Sequence, residues 1–242
     1  MKILLTPLMA ACIAMSLFSC NSGGKETEEK KVTDSSTTTT TTTTTVSAPA
    51  FQPFNLLVVK HKVANFTKWD AVYESKDSLR NAYGITKFHL GRGMDDSNTV
   101  VVIDKISDVQ KAKDFGASPA LKAAMKESGV VGPPTVSFIN IIRSDSAAPG
   151  QNDRVMVMHK VKDFDAWLKV FDGEGKATRA GYGLQDRALG RSLEDSNMVF
   201  IVFTITDMAK AKARMNSPEL KKLMTDAGVV GPPQMFMYKL EY

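Results

Sequence analysis

The sequence predicts an α+β fold in which two copies of one βαββαβ unit pack sheet to sheet as a pseudo-dimeric α+β barrel within a single chain. Three observations predict it. One domain-sized stretch is written twice. Each copy runs strand, helix, strand, strand, helix, strand by its hydrophobic periods. Two helices cover only one face of each sheet, and the other face is still apolar.

The repeat is read directly from the residues. His61-Lys62-Val63 returns as His159-Lys160-Val161, about 98 residues on, with Phe66 and Trp69 returning as Phe164 and Trp167. After a one-residue insertion, Arg80 and Tyr83-Gly84 return as Arg179 and Tyr182-Gly183, and Leu90-Gly91-Arg92 as Leu189-Gly190-Arg191. Asp96-Ser97-Asn98 returns as Asp195-Ser196-Asn197. Gly129-Val130-Val131-Gly132-Pro133-Pro134 returns unbroken as Gly228-Val229-Val230-Gly231-Pro232-Pro233. A repeat this long is a domain, not a solenoid unit.

In each copy, a Val-rich run gives the first strand, 55–63 and 154–161. Asn65 and Asp163 are placed to cap the helix that follows. That helix carries Phe66, Trp69, Val72 and Tyr73, matched by Phe164, Trp167, Val170 and Phe171, on one face. Gly84 and Gly183 turn the chain into the second strand, 85–91 and 184–190. The Asp-Ser-Asn segments read as hairpin turns, and 100–103 and 199–205 as third strands. Asp108 and Asp207 start the second helix, and Ser118-Pro119 and Ser217-Pro218 restart it. Gly129 and Gly228 end it. The last strands are 136–142 and 235–240.

This order is the ferredoxin-like split unit. One copy alone would leave an apolar sheet face in water, and two copies can cover each other. On these motifs the segment 54–242 resembles the dimeric α+β barrel superfamily, to which antibiotic-biosynthesis-type monooxygenases belong. It is also similar to small barrel proteins with a first strand ending His-Lys/Arg-Val, a Trp one turn into the first helix, and an Asp-Asp-x-Asn hairpin. Asp95, Asp96 and Asn98 match that hairpin, and Glu194 departs from it in the second copy. The resemblance implies fold more strongly than activity, because one fold hosts many chemistries.

Outside the repeats the sequence reads as an address. Lys2 precedes an apolar run to Phe18, and Leu17-Phe18-Ser19-Cys20 resembles a bacterial lipobox with Cys20 as the lipidated residue. The expected organisation is a lipoprotein signal at 1–19, a disordered Thr-rich tether at 20–53, a first repeat at 54–143, a linker at 144–152 and a second repeat at 153–242. Asn21 after the Cys suggests the outer membrane by the general lipoprotein pattern. The expected location is the bacterial cell envelope, with the lipid as the contact with membrane. The expected state is a monomeric pseudo-dimer.

Composition removes several classes of function. Two Cys, one of them within the apolar leader, exclude a disulfide scaffold, and three His make no metal cage. A net charge of +5 with signs interspersed gives no nucleic-acid stripe. No Gly-rich phosphate loop and no nucleophile elbow are present. No metal and no cofactor are expected.

The candidate chemistry is therefore sparse. His61 and His159 share a strand face with Val59 and Val63, and with Val157 and Val161, so they are candidate acid, base or ligand-anchoring groups. Tyr83, Tyr182, Arg92 and Arg191 are further ligand-binding candidates. The alternative for each Tyr is a packed ring, and for each Arg an ion pair with Asp96 or Asp195. Three functions follow as expectations. One is a small, largely apolar molecule held inside the barrel. Another is a cofactor-independent monooxygenase-like enzyme using the His pair. A third is an interaction protein with a filled barrel.

Overall fold

A computed structural model describes residues 51–145 and 150–242. The leader, Cys20 and the tether up to residue 50 lie outside the described residues. The first half contains β1 (Phe54–Val63), α1 (Phe66–Ser75), α2 (Asp77–Ala82), β2 (Ile85–Gly93), β3 (Thr99–Ile106), α3 (Val109–Ala117), α4 (Pro119–Ser128) and β4 (Val130–Ser144). The second contains β5 (Asp153–Val161), α5 (Phe164–Glu174), α6 (Lys176–Gly181), β6 (Leu184–Ser192), β7 (Met198–Ile205), α7 (Met208–Met215), α8 (Pro218–Asp226) and β8 (Val229–Leu240).

The helix starts are those expected. Asn65 accepts from the Lys68 amide at 2.8 Å and Asp163 from the Ala166 amide at 2.7 Å. Asp108, Asp207, Ser118 and Ser217 cap their helices in the same way. The first expected helix is broken in two, at Lys76 and at Gly175, where φ is +81°. The break lets Arg80 turn back and donate to the Tyr73 carbonyl at 2.6 Å, satisfying the end of α1. Arg179 does the same for α5 through the Phe171 carbonyl at 2.6 Å.

The last strands are longer than expected. Gly132-Pro133-Pro134 lies within β4, opposite the point where the β1 register shifts between Lys60 and Lys62. Gly231-Pro232-Pro233 lies within β8, opposite the shift between Met158 and Lys160. Proline cannot donate to a ladder, so it is tolerated at such an irregularity.

All eight strands form one closed barrel in the order β1-β3-β2-β8-β5-β7-β6-β4. The halves join at two seams, β2 with β8 and β4 with β6. Barrel closure removes every sheet edge. The inward side chains come from both halves and fill the interior: Ile139, Ile141, Phe200 and Tyr238 are each at most 1% exposed, with Leu56, Val58 and Met156 around them. The barrel is a packed core. The expectation of a ligand inside it is corrected on this point, because Phe200 and Tyr238 occupy the space.

The glycines of the repeated Leu-Gly-Arg motif belong to the seams. A Cβ on Gly91 would overlap the Tyr238 ring, and one on Gly190 would overlap the Asn140 carbonyl oxygen across the β4–β6 seam. Gly190→Ala must move backbone, so we expect destabilisation of about 1–3 kcal/mol, at the cost typical of overpacking. A lowered urea midpoint measures it, and an unchanged midpoint contradicts this account of the seam.

Candidate functional site

Strand alternation decides where the site lies. In β1, Leu56 and Val58 point into the barrel, while Leu57, Val59, His61 and Val63 face the helices. In β5, Met156 points inward and Val155, Val157, His159 and Val161 face the helices. The His pair therefore does not line the barrel. Each His sits under the helices of its own half, beside the strand irregularity carrying Gly-Pro-Pro. Two motifs far apart in sequence meet there.

Between the first sheet and its helices lies a cavity of about 390 Å³, lined by Leu57, Val59, His61, Trp69, Phe115 and Phe138 among others. Its size falls within the range of small-molecule sites. Along one wall runs a ladder of flat groups. The His61 ring centroid is 5.3 Å from that of Trp69, Trp69 stacks on Tyr73 at 4.9 Å, and the Arg80 guanidinium lies 3.8 Å over the Tyr73 ring.

The two ends of this cavity are polar. Neither His61 nitrogen has a protein partner among the described residues. Burial holds its pKa down to about 4, so near neutral pH it offers one N–H donor and one bare nitrogen acceptor. At the other end, Tyr73 Oη donates to Asp104 Oδ1 at 3.2 Å. Asp104 is 2% exposed, and burial raises its carboxyl to about 6, against the opposing pull of Arg80. Burial and the Asp104 carboxyl together push the Tyr73 hydroxyl up as well. The β1–β3 register pairs Asp104 with Leu57 and Val100 with His61. The two polar ends are thus four residues apart along the strands, roughly 13 Å at strand rise.

The second half repeats the ladder as His159, Trp167, Phe171 and Arg179. Its cavity is only about 100 Å³. His159 is 5% exposed and its nitrogens also lack protein partners among the described residues, with burial lowering its pKa to about 4. Arg179 is gripped by Asp186, Nε to Oδ1 at 2.8 Å and Nη2 to Oδ2 at 2.7 Å, and Arg214 Nη2 donates to Glu174 at 2.7 Å.

The remaining candidates are dispersed. Tyr83 packs on Phe115 at 5.3 Å and does not line the first cavity. Tyr182 lines the second, with Arg214 4.5 Å over its ring. Arg92 and Arg191 line neither cavity and lie over Phe66 and Phe164. The expected ion pairs of these arginines are corrected. Asp96 binds Lys62 at 2.9 Å and Asp195 binds Lys160 at 2.9 Å, while Arg92 Nε donates to the Ser97 carbonyl at 2.8 Å. The sequence reading left Asp104 unremarked and gave Tyr73 and Arg80 only a place in the repeat. The signal was present: Asp104 interrupts an apolar strand where the second copy has Phe203.

No protein-family model matches the chain, and no curated protein matches it in sequence. Solved structures do. An anthrone oxidase-like protein is 13% identical, covering 78% of this chain and 92% of that one with a TM-score of 0.52. A candidate chlorite dismutase is 15% identical, covering 78% and 95% with a TM-score of 0.51. An uncharacterized ferredoxin-fold protein from Listeria monocytogenes, related to antibiotic biosynthesis monooxygenases, is 10% identical, covering 79% and 97% with a TM-score of 0.45. At these identities the first two likenesses establish the barrel fold and leave the ligand to the site itself.

The buried groups give opposite pH signatures. The Asp104 pKa is raised by folding from 3.8 to about 6, so its contribution to stability is complete at low pH and is lost as pH rises through about 6. The loss amounts to about 3 kcal/mol, and Asp104→Asn should recover it above pH 6, seen as a raised urea midpoint. The His159 pKa is lowered from 6.5 to about 4, so its contribution is complete above 6.5 and is lost as pH falls to about 4. His159→Gln should flatten that acid limb by about 3 kcal/mol. Unaltered pH profiles would contradict both assignments.

Proposed function

We propose that the protein is a lipid-anchored envelope protein, a tandem duplication whose barrel is a scaffold and whose first sheet–helix cavity binds a small, largely apolar molecule. The observation that carries this reading is a cavity of about 390 Å³ with apolar walls and an unpartnered imidazole at one end. Buried polar groups are ordinarily satisfied, so His61 is positioned to meet a hydrogen-bonding group of the bound molecule. The anchor rests on Leu17-Phe18-Ser19-Cys20, followed by a Thr-rich spacer with almost nothing to bury.

Binding is measured with N-phenyl-1-naphthylamine, an uncharged dye that brightens in apolar surroundings. Saturable brightening is expected. His61→Phe removes both hydrogen-bonding nitrogens while retaining a ring, and should change affinity for dyes bearing a hydroxyl far more than for those without one. Absence of any saturable brightening across apolar dyes contradicts the reading. For the anchor, acyl mass on the mature N-terminus and its loss in Cys20→Ser are expected, and an unmodified, freely soluble wild-type protein contradicts it.

A second reading, an enzyme of acid–base type, is favoured by one observation. Burial raises the Asp104 carboxyl to about 6 inside the cavity, where it is hydrogen-bonded to Tyr73. Burial makes His61 a poor proton carrier at neutral pH, so Asp104 is the better candidate for that role. Turnover that survives Asp104→Asn unchanged would remove this assignment.

A further inference from the structure

Resting on the binding reading above, we propose that the two halves have divided the work: the first half holds one uncharged apolar molecule per chain, and the second is a scaffold whose matching site its own side chains have filled.

The ladder of His, Trp, aromatic ring and Arg occurs on both sides, so it cannot by itself mark a binding site. Its shared task is structural, since each Trp is 4% exposed and each Arg closes the end of the preceding helix. The differences between the halves are more informative. Gly116 and Ala124 border the first cavity, and Met215 and Leu223 stand at the matching positions of the second. Longer side chains there account for a cavity of about 100 Å³ in place of about 390 Å³. The buried Tyr–Asp hydrogen bond is gone as well: Asp104 and Tyr73 become Phe203 and Phe171, and the charged groups lining the second cavity, Glu174, Arg179 and Arg214, pair with their own neighbours.

Charge follows the same division. Arg179 is neutralised by two carboxylates, Asp186 and Glu174, the first of them bidentate. That is how a packed interior treats an arginine. Arg80 instead holds the half-exposed Asp77 and faces Asp104, leaving its Nε without a protein partner among the described residues. Arg80 and Asp104 already oppose each other in charge. Lys76 and Lys113, which also line this cavity, are paired with Glu127 and Glu194, so a charged guest would have to compete for its counter-charge, whereas an uncharged one needs none.

The chain supplies its own reporters, because its two tryptophans lie one in each half: Trp69 lines the first cavity and Trp167 the second. The probe is 1-bromohexane, whose bromine quenches indole only at contact. In the full chain carrying Trp167→Phe, emission from Trp69 should fall along a saturating curve. With Trp69→Phe, emission from Trp167 should fall only along the shallow straight line of collisional quenching. Filling the first cavity with Gly116→Met and Ala124→Leu should weaken saturable quenching at least tenfold. Opening the second with Met215→Ala and Leu223→Ala should make Trp167 saturable. The anion 6-bromohexanoate should bind at least tenfold more weakly than 1-bromohexane.

Should a tryptophan substitution unfold the chain, the wild type and the filled variant answer alone, through loss of saturable quenching on filling. Saturable quenching of Trp167 in the Trp69→Phe chain, or two bromohexanes bound per wild-type chain, overturns the division of work and leaves the binding reading standing. Equal binding of the anion overturns the uncharged class. Quenching of neither tryptophan overturns the binding reading itself.

Discussion

The structure depends on the burial of one shared core inside the barrel. Ile139 and Ile141 from β4 meet Phe200 from β7 and Tyr238 from β8, and none of these faces is covered by a helix of its own half. Burial of this surface is the main attraction between the halves. The seams turn it into a closed sheet, and they require Gly91 and Gly190, because any side chain there would meet the opposite half. Filled in this way, the barrel does the work of an obligate dimer interface within one chain.

A solid barrel leaves no cavity around Phe200 and Tyr238. The cavity proposed for a guest lies in the layer between sheet and helices, where side-chain length decides whether there is room. The same backbone carries a cavity of about 390 Å³ on one side and one of about 100 Å³ on the other, through a few substitutions along α1, α3, α4 and β3. The helices themselves are alike in both halves, with side-chain N-caps at matching positions and the same arginine closing the first helix. A fold-level likeness therefore says little about what is bound, and the local volume and polarity say much more.

Several features of the site were legible in the sequence. His61 and Trp69, and His159 and Trp167, stood out through repetition, and each pair is in ring contact. The Gly-Pro-Pro segments stood out by their unbroken repetition and proved to lie at strand irregularities beside each His. The pairings of Arg92 and Asp96 were read wrongly because neighbours in sequence were taken as neighbours in space. Lys62, reaching across from the end of β1, holds Asp96 instead. Asp104 escaped notice because a lone carboxylate near a strand end ordinarily marks solvent, and only the position of Tyr73 above it reveals a buried hydrogen bond.

The sequence by itself determined the repeat, the order of elements, the helix caps and the need for two sheets to close on each other. These follow from local rules of periodicity and capping, and from the surplus of apolar strand surface. Only the tertiary structure decided which strand face looks inward. Alternation says that Val59, His61 and Val63 share a side, yet in this barrel both sides of the sheet are apolar, one against the opposite sheet and one against helices. A pattern with two greasy faces carries no sign, so the location of His61, and with it the cavity, waited on the packing.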